Sequence, residues 1–186
     1  MSALIDIIRL RKSVRRYTDR PVDREHIATC VEAARLAPSA ENVQPWRFIV
    51  IDDPGLKQEF CSAATGGIYR PSRFIARAAA VVVILARLDL LANVLGRGVQ
   101  GTQFYLLDIG IAGEHLVLQA QELGVGTCWI GWFNAKRAAR FLKVPSRYRV
   151  VSLIAMGYPA EGAIKNKPDL PLHDILFFNR DAEGRL

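Results

Sequence analysis

Hydrophobic positions along the chain alternate between helical and strand periods, and the switches outline the elements. Leu4, Ile5 and Ile8 fall on one face of a short helix over Ser2–Leu10, with Ser2 placed to cap it. Ile27, Val31 and Ala34 repeat at helical spacing after Asp23 and stop before Pro38, which predicts a second helix capped by Asp23. Arg47–Ile51 reads as a buried strand. Asp52-Asp53-Pro54-Gly55 then opens a helix to about Ala64, because proline is tolerated where the first turn has N–H groups to spare. Gly66–Arg77 is a polar, glycine-containing connection, whereas Ala78–Ala86 is continuously apolar and β-branched, the pattern of a central strand covered on both faces. Thr102–Leu123 predicts a long helix with Gly110 and Gly113 in its middle. Each glycine costs about 1 kcal/mol relative to alanine, so the pair suggests close approach of another backbone, and a symmetric dimer contact across this helix. Thr127–Gly131 follows as a strand, Asn134 caps a short helix to Leu142, and Arg149–Met156 forms the last strand before a loose tail from Gly157-Tyr158-Pro159 to Leu186. Without internal repeats or a composition shift, residues 1–186 read as one domain.

Composition narrows the class. The chain is 51% hydrophobic and 23% charged, which excludes a disordered chain. Its longest apolar run, Ala78–Ala86, is too short to span a bilayer, and Met1-Ser2-Ala3-Leu4 leads straight to Asp6 and Arg9 with no signal-like apolar stretch. A cytoplasmic protein with no membrane contact is expected. Cys30, Cys61 and Cys128 have no CxxC spacing and read as reduced, packed thiols; His26, His115 and His173 stand apart, so no metal site is expected. The net charge of +7 gathers at Arg9–Arg24 and Lys136–Arg149, a surplus that suits nucleic acid, an anionic cofactor or substrate, or solubility.

Three stretches carry candidate chemistry. Gly96-Arg97-Gly98-Val99-Gln100-Gly101 matches a dinucleotide-binding GxGxxG with Glu122 downstream. Its context is wrong: the preceding strand ends near Ala86, and Glu122 sits within a helix instead of closing a strand. In the extended segment Arg11-Lys12-Ser13-Val14-Arg15, alternation puts Arg11, Ser13 and Arg15 on one face. Two guanidinium groups flanking a hydroxyl suit a phosphate or an electron-rich ring edge, and equally suit a solvated basic face or a nucleic-acid arm. Ala37-Pro38-Ser39-Ala40-Glu41-Asn42-Val43-Gln44-Pro45-Trp46 is a proline-stiffened loop offering Ser39, Asn42 and Gln44 to a polar, planar ligand, or to its own backbone.

The spacing of proline, serine, asparagine, glutamine, proline and tryptophan in that loop resembles the P-S-x-x-N-x-Q-P-W segment of the flavin-dependent nitroreductase family. Arg11-x-Ser13-x-Arg15 resembles the family's N-terminal R-x-S-x-R/K motif. The similarity continues in Asp108–Ala112, Leu123–Gly131 and Met156–Pro159. The resemblance implies an α+β fold, a mixed β-sheet flanked by helices, in an interlocked homodimer whose C-terminal tail wraps the partner, with FMN at the subunit interface. It implies that Arg11 and Ser13, with Lys12, meet the phosphate and ribityl chain and that Arg15 meets the flavin N1/O2 edge. Pro38, Ser39 and Asn42 would approach the same flavin from the other subunit. Ile130 and Gly131 would lie where a backbone N–H meets flavin N5, and Lys165 and Lys167 would serve the phosphate. Asp169 stands where the family often has a second phosphate-binding arginine, and Ala40 replaces a common serine. No protein side chain acts as a catalytic nucleophile in this reading. The implied activity is oxidation of NADH or NADPH with ping-pong reduction of a small acceptor, such as a nitroaromatic, quinone or free flavin. The alternatives are a specialised flavin reaction, such as reductive dehalogenation or flavin fragmentation, and a basic nucleic-acid-binding module.

Overall fold

The computed structural model describes residues 4–88, 102–164 and 168–178. In order, the elements are α1 (Leu4–Leu10), α2 (Arg24–Arg35), β1 (Trp46–Ile51), α3 (Pro54–Ala64), a 3-10 run (Gly67–Arg77), β2 (Ala80–Arg87), α4 (Phe104–Glu122), β3 (Gly126–Ile130), α5 (Ala135–Phe141) and β4 (Tyr148–Gly157). The sheet has the order β1-β2-β4-β3. Among the described residues all three ladders are antiparallel, and the parallel component of the expected mixed sheet is one bridge, between Ser13 and Thr127.

Strand β2 shows why its sequence is apolar without alternation. Val82, Ile84 and Ala86 point into a core with Ile27, Cys30 and Ala34 of α2 and Ile109, Ala112 and Leu116 of α4. Val81, Val83 and Leu85 point the other way, onto Phe60, Cys61 and Ala64 of α3 and Ala138 of α5. Successive strand residues face opposite sides, so a strand roofed by helices on both faces needs an apolar residue at every position. The result is three layers, with β2 and β4 central and β1 and β3 at the edges.

Helix boundaries follow their caps. The Asp53 side chain accepts the Leu56 N–H at 2.7 Å, and Pro54 sits in the first turn. Asn134 accepts the Arg137 N–H at 3.0 Å. Asp23 occupies the N-cap position of α2 but its side chain makes no capping bond, a departure from the expectation. Loss of a cap that is formed costs about 1 kcal/mol, so Asp53→Ala is expected to lower the unfolding free energy by that amount while Asp23→Ala leaves it nearly unchanged; urea unfolding of the two variants checks the contrast.

The long helix holds one surprise. A Cβ on Gly113 would lie 2.1 Å from Cη2 of Trp129, so the close neighbour at this glycine is an indole ring on β3, not a second backbone. Gly110 faces away, with nothing within 4 Å of its absent Cβ. The expected pair of dimer-contact glycines therefore divides, with Gly113 serving the core and only Gly110 lying on the outer face.

All three cysteines are free and buried. Burial pushes the Cys30 and Cys61 thiols up to about 12, so both are packing groups at neutral pH.

Candidate functional site

Between α1 and α2 the chain runs along the outer edge of β3. The Val14 N–H donates to the Thr127 carbonyl at 2.8 Å, and the Thr18 N–H donates to the Tyr158 carbonyl at 2.9 Å. Val14 is buried, and the Tyr17 hydroxyl donates to its carbonyl at 2.6 Å. Gly126 and Gly157 make room for this contact. A Cβ at those positions would lie 2.8 Å from Val14 Cγ2 and 2.9 Å from Tyr17 Cδ1.

With Val14 and Tyr17 as anchors, the intervening side chains turn outward. Arg11, Lys12, Ser13, Arg15 and Arg16 line a cavity of about 540 Å³, with Gly162, Ala163 and Asp169 among its other walls. Alternation correctly groups Arg11, Ser13 and Arg15, but Lys12 and Arg16 join them. Isolated bridges impose no pleat, so neighbouring side chains need not point to opposite sides. The Cys128 thiol marks where the three meet. Burial raises it, while the Arg15 charge, a hydrogen bond with Ser13 and the Arg11 charge act in the opposite direction.

The two arginines of the motif are held differently. Arg11 Nε lies 3.7 Å from Glu114 Oε1, a part-exposed pair of little energetic weight. The Arg15 guanidinium sits 5.9 Å from the centre of the Phe74 ring, and its Nη1 donates to the Ser13 carbonyl at 3.4 Å. Asp169 brings a carboxylate to the rim of an otherwise cationic cavity, so phosphate affinity there depends on the cations outweighing it. Lys165 and Lys167 lie outside the described residues, as does the GxGxxG stretch.

The Pro38–Pro45 loop carries backbone strain. Glu41, Asn42 and Gln44 have φ of 51°, 55° and 46°. Asparagine tolerates this region, but Glu and Gln do so at a cost of roughly 1–2 kcal/mol each. Asp108 on α4 holds the loop: its Oδ1 accepts the Ala40 N–H at 3.0 Å, and burial raises its carboxyl above the usual range. The Ser39 hydroxyl accepts the Gln44 N–H at 2.9 Å, and Asn42 Oδ1 accepts from Gln44 Nε2 at 2.9 Å. Pro38, Ser39 and Asn42 do not line the Arg11–Arg16 cavity of their own chain.

At the C-terminal end of β3, Ile130 is a core residue whose carbonyl accepts the Ser152 hydroxyl at 3.1 Å. Gly131 follows in the exposed turn, with nothing within 4 Å of its absent Cβ. Trp132 is exposed, donates from Nε1 to the Ile68 carbonyl at 3.1 Å and lies 5.3 Å from Tyr69, whereas Trp129 packs inward on Gly113. The sequence reading gave no role to Arg16, Phe74 or Asp108. Arg16, within the basic segment, and Asp108, within the Asp108–Ala112 block, had a local signal; Phe74 had none.

Among the described residues no group of three or more His, Cys, Asp or Glu could hold a metal ion, and no helix is long and apolar enough to cross a membrane. Residues 8–158 match the Nitroreductase family. The chain belongs to that family. It is 32% identical over 199 residues to an NADH dehydrogenase of Thermus thermophilus, covering 90% of this chain and 92% of the relative. An FMN reductase [NAD(P)H] of Bacillus subtilis is 28% identical, with 97% of this chain and 77% of the relative covered. Among solved structures, an FMN-dependent nitroreductase of Clostridium difficile R20291 superposes with a TM-score of 0.75 at 31% identity, covering 94% of this chain and 99% of that one.

Proposed function

We propose that this member of the nitroreductase family is an FMN-dependent oxidoreductase that takes electrons from NADH or NADPH and passes them to a small acceptor such as a nitroaromatic, a quinone or a free flavin. The observation that carries the reading is the cavity above β3 where Arg11, Lys12, Ser13, Arg15 and Arg16 converge. A phosphate on a ribityl chain needs charge-assisted donors and a hydroxyl partner, and that donor set provides both. In the proposal Arg11, Lys12 and Ser13 hold the phosphate and ribityl chain, with Lys165 and Lys167 completing the set. Arg15 holds the electron-rich ring edge, and the Ile130–Gly131 backbone lies beside the reacting face. Bound FMN would supply two-electron transfer through its N5 position, which the side chains here do not perform themselves.

A homodimer belongs to the same reading. Leu4, Ile5, Ile8 and Leu10 of α1 and Leu106, Leu107 and Ile111 of the adjoining α4 are exposed, an apolar extent unusual for a free surface. Ile175, Leu176 and Phe178 of the tail are exposed too, and among the described residues β1 is an edge strand with no partner on its outer side. The strained Ser39–Asn42 loop, which does not line its own chain's cavity, is suited to reach the partner's.

An absorption spectrum of the purified protein tests the central claim. Bands near 370 and 450 nm (about the values for any oxidised flavin) are expected. A colourless protein whose affinity for oligonucleotides falls steeply with salt would instead favour a basic nucleic-acid module. Donor and acceptor are expected to give parallel double-reciprocal lines, and a sedimenting monomer that retains flavin would overturn the dimer.

A further inference from the structure

A second basic cavity adjoins the first, and the proposed binding of FMN leaves it without a role. It measures about 650 Å³ and is lined by Arg15, Arg16, Arg73 and Arg77, with Phe74 and Glu161 among the remaining walls. Arg15 and Arg16 are common to both cavities. Arg73 and Arg77 also border a further recess of about 460 Å³ that includes Gln58 and Ser62.

The two outer arginines are positioned by the 3-10 run. Ser72 donates from its hydroxyl to the Trp132 carbonyl at 2.6 Å, and Ile75 is fully buried, so the stretch that carries Arg73 and Arg77 to this cavity is anchored. Neither forms an ion pair with another described residue. Among the described residues the sole acid on the cavity is Glu161, whose backbone carbonyl accepts Arg16 Nη2 at 2.7 Å. Several guanidinium groups converging on one cavity with a single carboxylate favour a ligand carrying more than one negative charge.

We propose that Arg73 and Arg77, with Arg16, form a phosphomonoester site beside the cofactor cavity that binds the 2′-phosphate of the electron donor and makes this chain prefer NADPH to NADH. This rests on the oxidoreductase reading above. The two donors differ only in that phosphate, so a dianion site next to the flavin is the element needed to separate them. The guanidinium forks bind it bidentately, and lysine at either position would do so less well.

The test measures kcat/KM of the purified holoprotein for both donors. NADPH is expected to be favoured by about tenfold or more, and Arg73→Ala and Arg77→Ala are each expected to remove about tenfold of kcat/KM for NADPH, as loss of one charged hydrogen-bonding contact does. Flavin content and kcat/KM for NADH stay as in wild type. Binding of 2′,5′-ADP and 5′-AMP, measured by calorimetry on the same proteins, tests the site without turnover. The bisphosphate is expected to bind more tightly in wild type and equally to 5′-AMP in the double variant. A protein that lacks flavin and oxidises neither donor, yet discriminates 2′,5′-ADP through Arg73 and Arg77, would sink the oxidoreductase reading and keep the phosphomonoester site. A flavoprotein with equal use of both donors, or with a preference unchanged in the double variant, would sink this proposal and keep that reading. Tighter binding of a single-stranded oligonucleotide than of 2′,5′-ADP at the same arginines would also overturn it.

Discussion

Arg15→Ala, saturated with FMN, is expected to show a midpoint potential about 30–60 mV below wild type. Two-electron reduction leaves negative charge at the N1/O2 edge, so a cation fixed there interacts more strongly with the reduced cofactor than with the oxidised one. A differential contact of about 1.4–3 kcal/mol converts to that range, because 30 mV corresponds to about 1.4 kcal/mol for a two-electron couple. The guanidinium is restrained by the Phe74 ring and the Ser13 carbonyl, so the charge is held in place before any ligand arrives. Arg11→Ala provides the contrast. The phosphate it would contact does not change charge on reduction, so the variant loses about tenfold or more in FMN affinity and keeps its potential. Arg15→Lys restores most of the potential because it keeps the charge. Equal potentials in wild type and Arg15→Ala, each saturated with FMN, would remove Arg15 from the ring edge.

What the sequence exposes and what it hides can be traced to particular residues. The β2 run and the helical spacing of Ile27 and Ala34 are long-period signals set by burial on both sides of the sheet, and the structure places them as expected. The convergence of Arg11, Ser13 and Arg15 was also legible, since it needs only an extended backbone. Arg16 was not, because alternation assumes a ladder and this segment makes isolated bridges. Phe74 reaches Arg15 from an element distant in sequence, and Asp108, though part of a recognisable block, shows its hold on Ala40 only in the fold; no local pattern announces such meetings. The Gly66–Arg77 stretch reads as a polar connection, yet it forms a 3-10 run fixed by Ser72 and Ile75. Its arginines look like solvated charge in a string of letters. Their meaning depends on the Arg15–Arg16 segment lying alongside, which only the fold supplies.

Gly113 and Gly110 lie one turn apart on α4, and alanine at each is expected to act in opposite directions. The Gly113 Cβ would meet Trp129 Cη2 at 2.1 Å and Cζ2 at 2.5 Å, well inside contact distance. The indole lies on β3 between α4 and the sheet, so relief requires either the ring or the helix to shift. Such overpacking costs about 1–3 kcal/mol, which outweighs the roughly 1 kcal/mol that alanine gains over glycine in a helix. For a chain of this size Gly113→Ala should therefore melt several degrees lower, on the order of 5 °C. Gly110 has nothing within 4 Å of its absent Cβ, so alanine there keeps the propensity gain and meets no obstacle within its own chain. Any penalty at Gly110 must come from a second subunit. Under the homodimer proposal, Gly110→Ala weakens self-association in sedimentation while leaving the isolated subunit as stable as wild type or more so. Unchanged self-association in Gly110→Ala would exclude a close backbone contact at that glycine, and an unchanged melting temperature in Gly113→Ala would show that the Trp129 ring yields freely.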